Sequence, residues 1–337
     1  PQQESPAQPL VHNPPRTHDI VSPAKLPDLN VERLRTEFYN ASVVSIERCH
    51  DELMIVRVRP DRGIPRFLAG QYTVLGLGYW EPRAADCQPE GDITQRLQRL
   101  IKRAYSISCP LLDEAGQLVG VNDLHFLEFY ITLVRHAQHP PALTPRMFAL
   151  EPGDRIFCGP HMHGHYTLTD VPRDANVIFA ATGTGEAPHN AMTAQLLKTG
   201  HRGRVVQVTC VRVKQDLGYL ATHRRLQEMS SNYRYVALTT REPENLDASR
   251  PDYVGKRYLQ DYFASGDIES ETGLPLDPDN THVFLCGHPD MIGAPLRTHD
   301  PSRRYPRPQG MVETLEHLRF RVDLPHQRGN VHFEKYW

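Results

Sequence analysis

The sequence predicts two domains: an N-terminal antiparallel β-barrel, then a C-terminal α/β unit with a parallel sheet and flanking helices. Three observations predict it. From Tyr39 to Cys158, short, alternating, β-branched segments follow closely on one another, as in a small antiparallel barrel or sandwich. After Asp170, apolar strands alternate with helical stretches, the order of a parallel sheet covered by helices. At the change of pattern, Val177-Ile178-Phe179-Ala180-Ala181 runs into Thr182-Gly183-Thr184-Gly185 and then a helix that opens near Pro188. The expected boundaries are a tail over 1–38, the barrel over 39–168 and the α/β unit over 169–337.

Residues 1–30 are rich in Pro, Gln and Asn and read as a tail, either flexible or draped over the surface. Strands are expected at Ala41–Cys49, Leu53–Arg59 and Tyr72–Gly78, separated by Asp-Arg-Gly and Ala-Gly turns. Between Trp80 and Leu100 the β pattern breaks. Thr94–Lys102 then reads as a helical turn with a basic face at Arg96, Arg99 and Lys102. Strands resume at Arg103–Cys109, Phe126–Arg135 and Asp154–Cys158. The second half alternates strands at Asn176–Ala181, Arg204–Val213, Tyr233–Thr239 and His282–Cys286 with helices at Pro188–Lys198, Leu217–Ser230 and Lys256–Phe263. A strand from Asn330 to Trp337 closes it.

Composition narrows the function. A chain of 337 residues is long enough for two cores. Its 23% charged and 39% hydrophobic residues are ordinary for a globular protein. A net charge of −2 lacks the basic excess of a nucleic-acid binder. No apolar run reaches membrane-spanning length, and the first residues lack the plan of a signal peptide. Six scattered cysteines, several in expected strands, favour buried thiols in a cytoplasmic protein over a disulfide framework.

A strand, a glycine turn and a helix aim free backbone N–H groups at a pyrophosphate. Gly183 and Gly185 allow the tight turn, and Pro188 suits the first helical turn. The third glycine of the usual dinucleotide fingerprint is missing, and no acidic residue ends the next strand. Arg212 stands near that end instead, which suits a 2′-phosphate and hence NADP. Arg241, after the following strand, and Lys256, after Gly255, are candidate second and third phosphate ligands. Singly, each of these is more often a solvated surface charge. Glu186 sits inside the turn, where an inward-pointing carboxylate would repel a pyrophosphate.

Arg103-Ala104-Tyr105-Ser106 lies on an expected strand, so Arg103 and Tyr105 share one face and Ser106 takes the other. Combined with the glycine turn, this segment resembles the flavin motif of the ferredoxin/flavodoxin–NADP reductase family, most closely its bacterial branch. Phe129-Tyr130 with Ala142-Leu143-Thr144-Pro145-Arg146 is similar to the next flavin-contacting stretch. The turn Thr182–Pro188 looks like the family's NADP turn. Arg212 with Asp216-Leu217 and Tyr219-Leu220, then Thr240-Arg241-Glu242 and Gly255-Lys256, resemble its 2′-phosphate and adenosine segments. Leu285-Cys286-Gly287 with Pro289 and Met291 resembles its nicotinamide-side motif, and Glu334, Tyr336 and Trp337 its C-terminus. The likeness covers Tyr39 to Trp337, with the motifs in family order.

The resemblance implies an enzyme that uses FAD and NADP(H). It exchanges hydride at flavin N5 and passes single electrons to ferredoxin or flavodoxin. It also implies roles for residues. Arg103 would pair with the FAD pyrophosphate, Tyr105 would stack on the isoalloxazine, and Ser106 would hydrogen-bond near N5. Ala104, Tyr130, Ala142, Leu143 and Thr144 would complete the cradle, the last three partly through backbone N–H groups. Gly183, Thr184, Gly185, Val211, Arg212, Thr240, Arg241, Lys256 and Gly287 would hold NADP, with Thr184 reaching toward the flavin. Tyr336 would cover the opposite flavin face, and Trp337 the adenine. Cys286 would lie beside nicotinamide C4, with Glu334 near Ser106 in a polar network. Glu186, the stretch His139–Ala142 and Lys256 in place of Arg depart from the pattern, as do the 80–100 and 295–309 insertions.

Two other readings stand beside it. An NADH-linked reductase component of an oxygenase is opposed by Arg212, Arg241 and Lys256. A flavin-binding module without turnover is opposed by Glu334, Tyr336 and Trp337. His161-Met162-His163-Gly164-His165 reads as a solvated loop rather than a metal site, because no partner ligand is evident. Arg96, Arg99 and Lys102 are either a docking face for an acidic carrier or a solvated face. The expected state is a monomer.

Overall fold

The computed structural model describes residues 18–23, 29–296 and 304–336. Trp337 and parts of the tail and of the 295–309 insertion lie outside them. The strands are β1 (Ile20–Val21), β2 (Ala41–His50), β3 (Leu53–Pro60), β4 (Tyr72–Gly78), β5 (Arg83–Ala84), β6 (Leu100–Ser106), β7 (Leu127–Thr132), β8 (Arg155–Cys158), β9 (Asn176–Thr182), β10 (Val205–Val211), β11 (Tyr233–Thr239), β12 (Thr281–Gly287) and β13 (Val331–Lys335).

Six strands form one antiparallel sheet in the order β6-β4-β8-β2-β3-β7. An isolated bridge between Ser108, just past β6, and Glu128 of β7 brings its two ends together, as a barrel requires. Alternation sets the core: Leu127, Phe129 and Ile131 of β7 face inward with Val56 and Val58 of β3 and Leu75 and Leu77 of β4. The second sheet is wholly parallel, in the order β11-β10-β9-β12-β13. All seven residues of β10 are buried, as expected for a strand covered on both faces.

Helix Glu186–Lys198 is the centre of the molecule. Residues 186–194 are all buried, so it carries no distinct polar face. Ala191, Met192 and Ala194 pack in the same core as the barrel strands, while its start abuts β9 and β10. The helix is therefore sandwiched between barrel and parallel sheet, and the turn at its start is fixed relative to both.

Several expectations shift. Residues 31–38, placed in the tail, include helix Val31–Phe38. Asn30 caps it by accepting from the Arg33 N–H at 2.9 Å, and Leu34 is buried. Asn30 followed by Val31, Leu34 and Phe38 was the local signal for it. Further upstream, β1 pairs with β5, so this part of the tail is draped rather than loose. The helical turn expected at 94–102 shortens to a single 3-10 turn at Thr94–Arg96, because Leu100–Lys102 is recruited to pair with β4. The 80–100 insertion is pinned to the barrel by two carboxylates. Glu81 accepts from Tyr39, Trp80 and Arg35, and Glu90 takes a two-pronged bond from the buried Arg146 at 2.9 and 2.8 Å. The six cysteines are free thiols. No helix among the described residues is long and apolar enough to cross a membrane.

Candidate active site between the two sheets

The site forms where the C-terminal ends of the parallel strands meet the barrel. The backbone after β9 turns through Gly183 at φ +52, with open space where a side chain would start. Gly185 is the opposite case. A Cβ there would stand 2.3 Å from the Cys286 carbonyl oxygen and 2.9 Å from Gly287 Cα. Gly287, at φ +129, lies as tightly against Thr182, whose Oγ1 accepts from the His288 N–H at 2.8 Å. The turn is thus wedged against the end of β12, with Gly183 and Thr184 partly open to solvent.

Beyond it, β13 lies beside β12 with Glu334 opposite Cys286, and the Tyr336 N–H donates to the Gly287 carbonyl at 3.0 Å. Ser106, the last residue of β6, donates its hydroxyl to Glu334 Oε2 at 3.3 Å, joining residues 228 positions apart. The Tyr336 hydroxyl interacts with Ser106 and with the Cys286 thiol. Burial pushes the Glu334 carboxyl up to about 7, opposed by the Ser106 hydrogen bond. Burial also drives the Cys286 thiol well up, so it is a thiol at neutral pH.

A groove of about 830 Å³ runs from the glycine turn along the strand ends. Thr182, Gly183, Thr184, Val211, Arg212, Thr240, Gly287 and Tyr336 line it. Arg212 sits at its mouth, half-exposed, with Asp216 at 3.3 Å and Glu52 of the barrel at 3.8 Å. The Arg241 N–H donates to the Arg212 carbonyl at 2.8 Å, which places the two arginines on adjacent strand ends. The side chains of Arg241 and Lys256 are exposed, with no partner among the described residues. The pattern of the sequence missed Glu52, His50 and Tyr258, which also line this groove. The place of His50 and Glu52 depends on how the barrel's β2–β3 turn meets the parallel sheet, which no local motif encodes.

A family profile described as "Oxidoreductase NAD-binding domain" matches residues 179–295. The chain is 28% identical over 261 residues to the flavodoxin/ferredoxin–NADP reductase of Escherichia coli (strain K12), covering 76% of this chain and 87% of the relative. It is 26% identical over 255 residues to the enzyme of the same name from Buchnera aphidicola, covering 75% and 86%. Over about three quarters of its length the chain is thus similar to flavodoxin/ferredoxin–NADP reductases. Its fold agrees with that of a ferredoxin NADP+ reductase from Neisseria gonorrhoeae, at a TM-score of 0.61 and 19% identity over 88% of this chain and 97% of that one.

On the barrel side of this site, Arg103 and Ala104 are exposed. Among the described residues Arg103 donates only to the neighbouring Lys102 carbonyl, at 2.8 Å, and no acid among them takes its charge. Tyr105 packs edge-on to Phe129, ring centres 6.5 Å apart. Leu143 is buried at the start of the short helix Leu143–Met147, after the partly exposed Ala142. The Thr144 hydroxyl oxygen accepts from the Val134 N–H at 3.1 Å, which ties this helix to the end of β7.

Tyr130 lies where the barrel meets the α/β unit. The alternation of β7 puts it on the face opposite Phe129, away from Tyr105. Its hydroxyl donates to the Asp216 carbonyl at 2.9 Å and accepts from the Gly218 N–H at 2.8 Å. It ties strand β7 of the barrel to the segment that follows β10. Tyr219 is likewise turned to the barrel, donating to Glu128 Oε1 at 2.9 Å. Trp337 lies outside the described residues.

Proposed function

We propose that this chain is an FAD-dependent reductase exchanging electrons between NADP(H) and a one-electron carrier of the ferredoxin or flavodoxin type. The observation that carries this reading is the meeting of Ser106, Cys286, Glu334 and Tyr336 at one end of a groove lined also by a glycine turn and Arg212. FAD, when bound, supplies the redox chemistry. The residues present fit it: Arg103 offers an uncommitted charge for a diphosphate, and Ser106 a hydroxyl beside a buried carboxyl. Ala104, Tyr105, Ala142, Leu143 and Thr144 complete the flavin side, which belongs to residues 39–168. The NADP side belongs to 169–337, where Gly183, Thr184 and Gly185 bind the pyrophosphate and Val211 and Thr240 line the adenosine path. Arg212, Arg241 and Lys256 select the 2′-phosphate.

The chain's own groups then do simple work. Glu334 holds a proton near neutral pH within reach of Ser106. Tyr336 closes the far side of the groove and excludes water until the nicotinamide takes its place. Cys286 stays neutral and packs against the turn. The test is direct: the purified chain should show a flavin absorption spectrum that NADPH bleaches faster than NADH. Absence of flavin, or preference for NADH, refutes the proposal.

A further inference from the structure

Glu186 lies immediately after the glycine turn, where a carboxylate facing the ligand would oppose a pyrophosphate. Its side chain goes the other way. It is fully buried beneath the turn, among side chains of the parallel sheet. Its Oε1 accepts from the Tyr235 hydroxyl at 2.7 Å and the Thr209 hydroxyl at 3.0 Å, and lies 3.1 Å from His223 Nε2. Tyr235 stacks on His223 with ring centres 4.1 Å apart and planes 9° apart, so neither ring is free to turn.

We propose that Glu186 is a positioning residue for the pyrophosphate turn, anchoring it from behind to β10 and β11. The inference rests on the reading of that turn as the NADP pyrophosphate site. Three facts support it. Glu186 is covalently next to Gly185, so fixing its carboxylate fixes the turn's exit. Gly185 is blocked on its other side by Cys286 and Gly287, so the anchor and the wedge together leave the turn one position. A carboxylate in the first helical turn also sits favourably against the helix dipole, and from beneath it does so without facing the ligand. A polar chain extends the hold to the barrel. Gln207 donates to Asn190 at 3.0 Å, Asn190 to Ser108 at 3.4 Å, and Ser108 meets the Tyr219 hydroxyl at 3.1 Å.

The pyrophosphate is common to NADPH and NADH. Loosening the turn should therefore raise KM for both by the same factor, which separates this role from recognition of the 2′-phosphate. The experiment uses the flavin-loaded full chain, with ferricyanide as acceptor. Glu186→Ala should raise both KM values about tenfold with bound flavin per chain unchanged, and Glu186→Gln, which keeps the acceptor oxygen, by no more than about threefold. Hydrogen exchange at the amides of Gly183–Ala187 should speed up in Glu186→Ala and stay near the parent rate in Glu186→Gln. This second measurement holds even if the parent chain fails to oxidise either nucleotide, an outcome that would refute the functional reading alone. If Glu186→Ala does not fold, Tyr235→Phe removes the shortest hydrogen bond and keeps the ring stack. It should raise both KM values about threefold and speed exchange at the same amides. Unchanged exchange in the turn of a folded Glu186→Ala or Tyr235→Phe protein overturns the proposal, as does a KM effect confined to NADPH.

Discussion

Glu334→Gln isolates the one carboxyl of the site that titrates near neutral pH. Burial lifts Glu334 from the ordinary 4.5 to about 7. Between those values the folded chain holds a proton there that the unfolded chain gives up. The folded state is thus favoured below pH 4.5, and this advantage is lost as pH rises through about 7. At about 1.4 kcal/mol for each tenfold change in proton activity, the full effect is about 3 kcal/mol. Gln stays neutral throughout and keeps an acceptor for Ser106. The assay is urea unfolding of both proteins at several values from pH 5 to pH 8. The variant should gain on the parent as pH rises, by about 2.5 kcal/mol between pH 5 and pH 8. Burial depresses His189 to about 3 and His282 to about 4, so both weaken the fold as pH falls. They are common to both proteins and cancel in the difference. Parallel stability curves would refute the reasoning.

Arg212→Ala combined with Arg241→Ala should raise KM for NADPH at least tenfold and leave KM for NADH nearly unchanged; equal changes would remove both from the 2′-phosphate site. Gly185→Ala would set a Cβ 2.3 Å from the Cys286 carbonyl, a backbone atom that cannot step aside. It should lower the melting temperature and raise KM for both nucleotides, and a variant with parent-like values in both measurements would contradict the wedge. Arg96 and Arg99 are exposed at the start of β6, with Arg96 lying over the Tyr79 ring at 5.1 Å. Reversing both charges should slow reduction of an acidic ferredoxin about tenfold at low salt and spare ferricyanide reduction; equal losses would show that the patch does not dock the carrier.

What the sequence made legible is local. The strand, glycine turn and helix are consecutive in the chain, and the turn needs glycine for reasons set within it and by one neighbouring strand. Tyr105 and Ser106 fall on opposite faces because any strand alternates. The surroundings of Tyr130 are not local either. Alternation says that Tyr130 and Phe129 diverge, but not which of them meets Tyr105; that follows from the pairing of β3 with β7 and the closure of the barrel. Arg146 looked like part of a flavin-contacting run, yet it is buried against Glu90, a residue of the insertion that had no assigned role.

Glu186 shows how a nonlocal answer can still leave a local trace. Its burial conflicts with the expected chemistry of a pyrophosphate turn only while its side chain is imagined facing the ligand. β10 is buried along its whole length, yet Gln207 and Thr209 interrupt its apolar run at alternate positions. Polar residues spaced by two on a doubly covered strand must find partners on one face, since leaving them unpaired would cost about 1–3 kcal/mol each. The first turn of the preceding helix lies over that face, and Glu186 is its buried acid. A polar face on a buried strand is thus a request for a partner. Here the request is met by the residue that the turn would otherwise be expected to exclude.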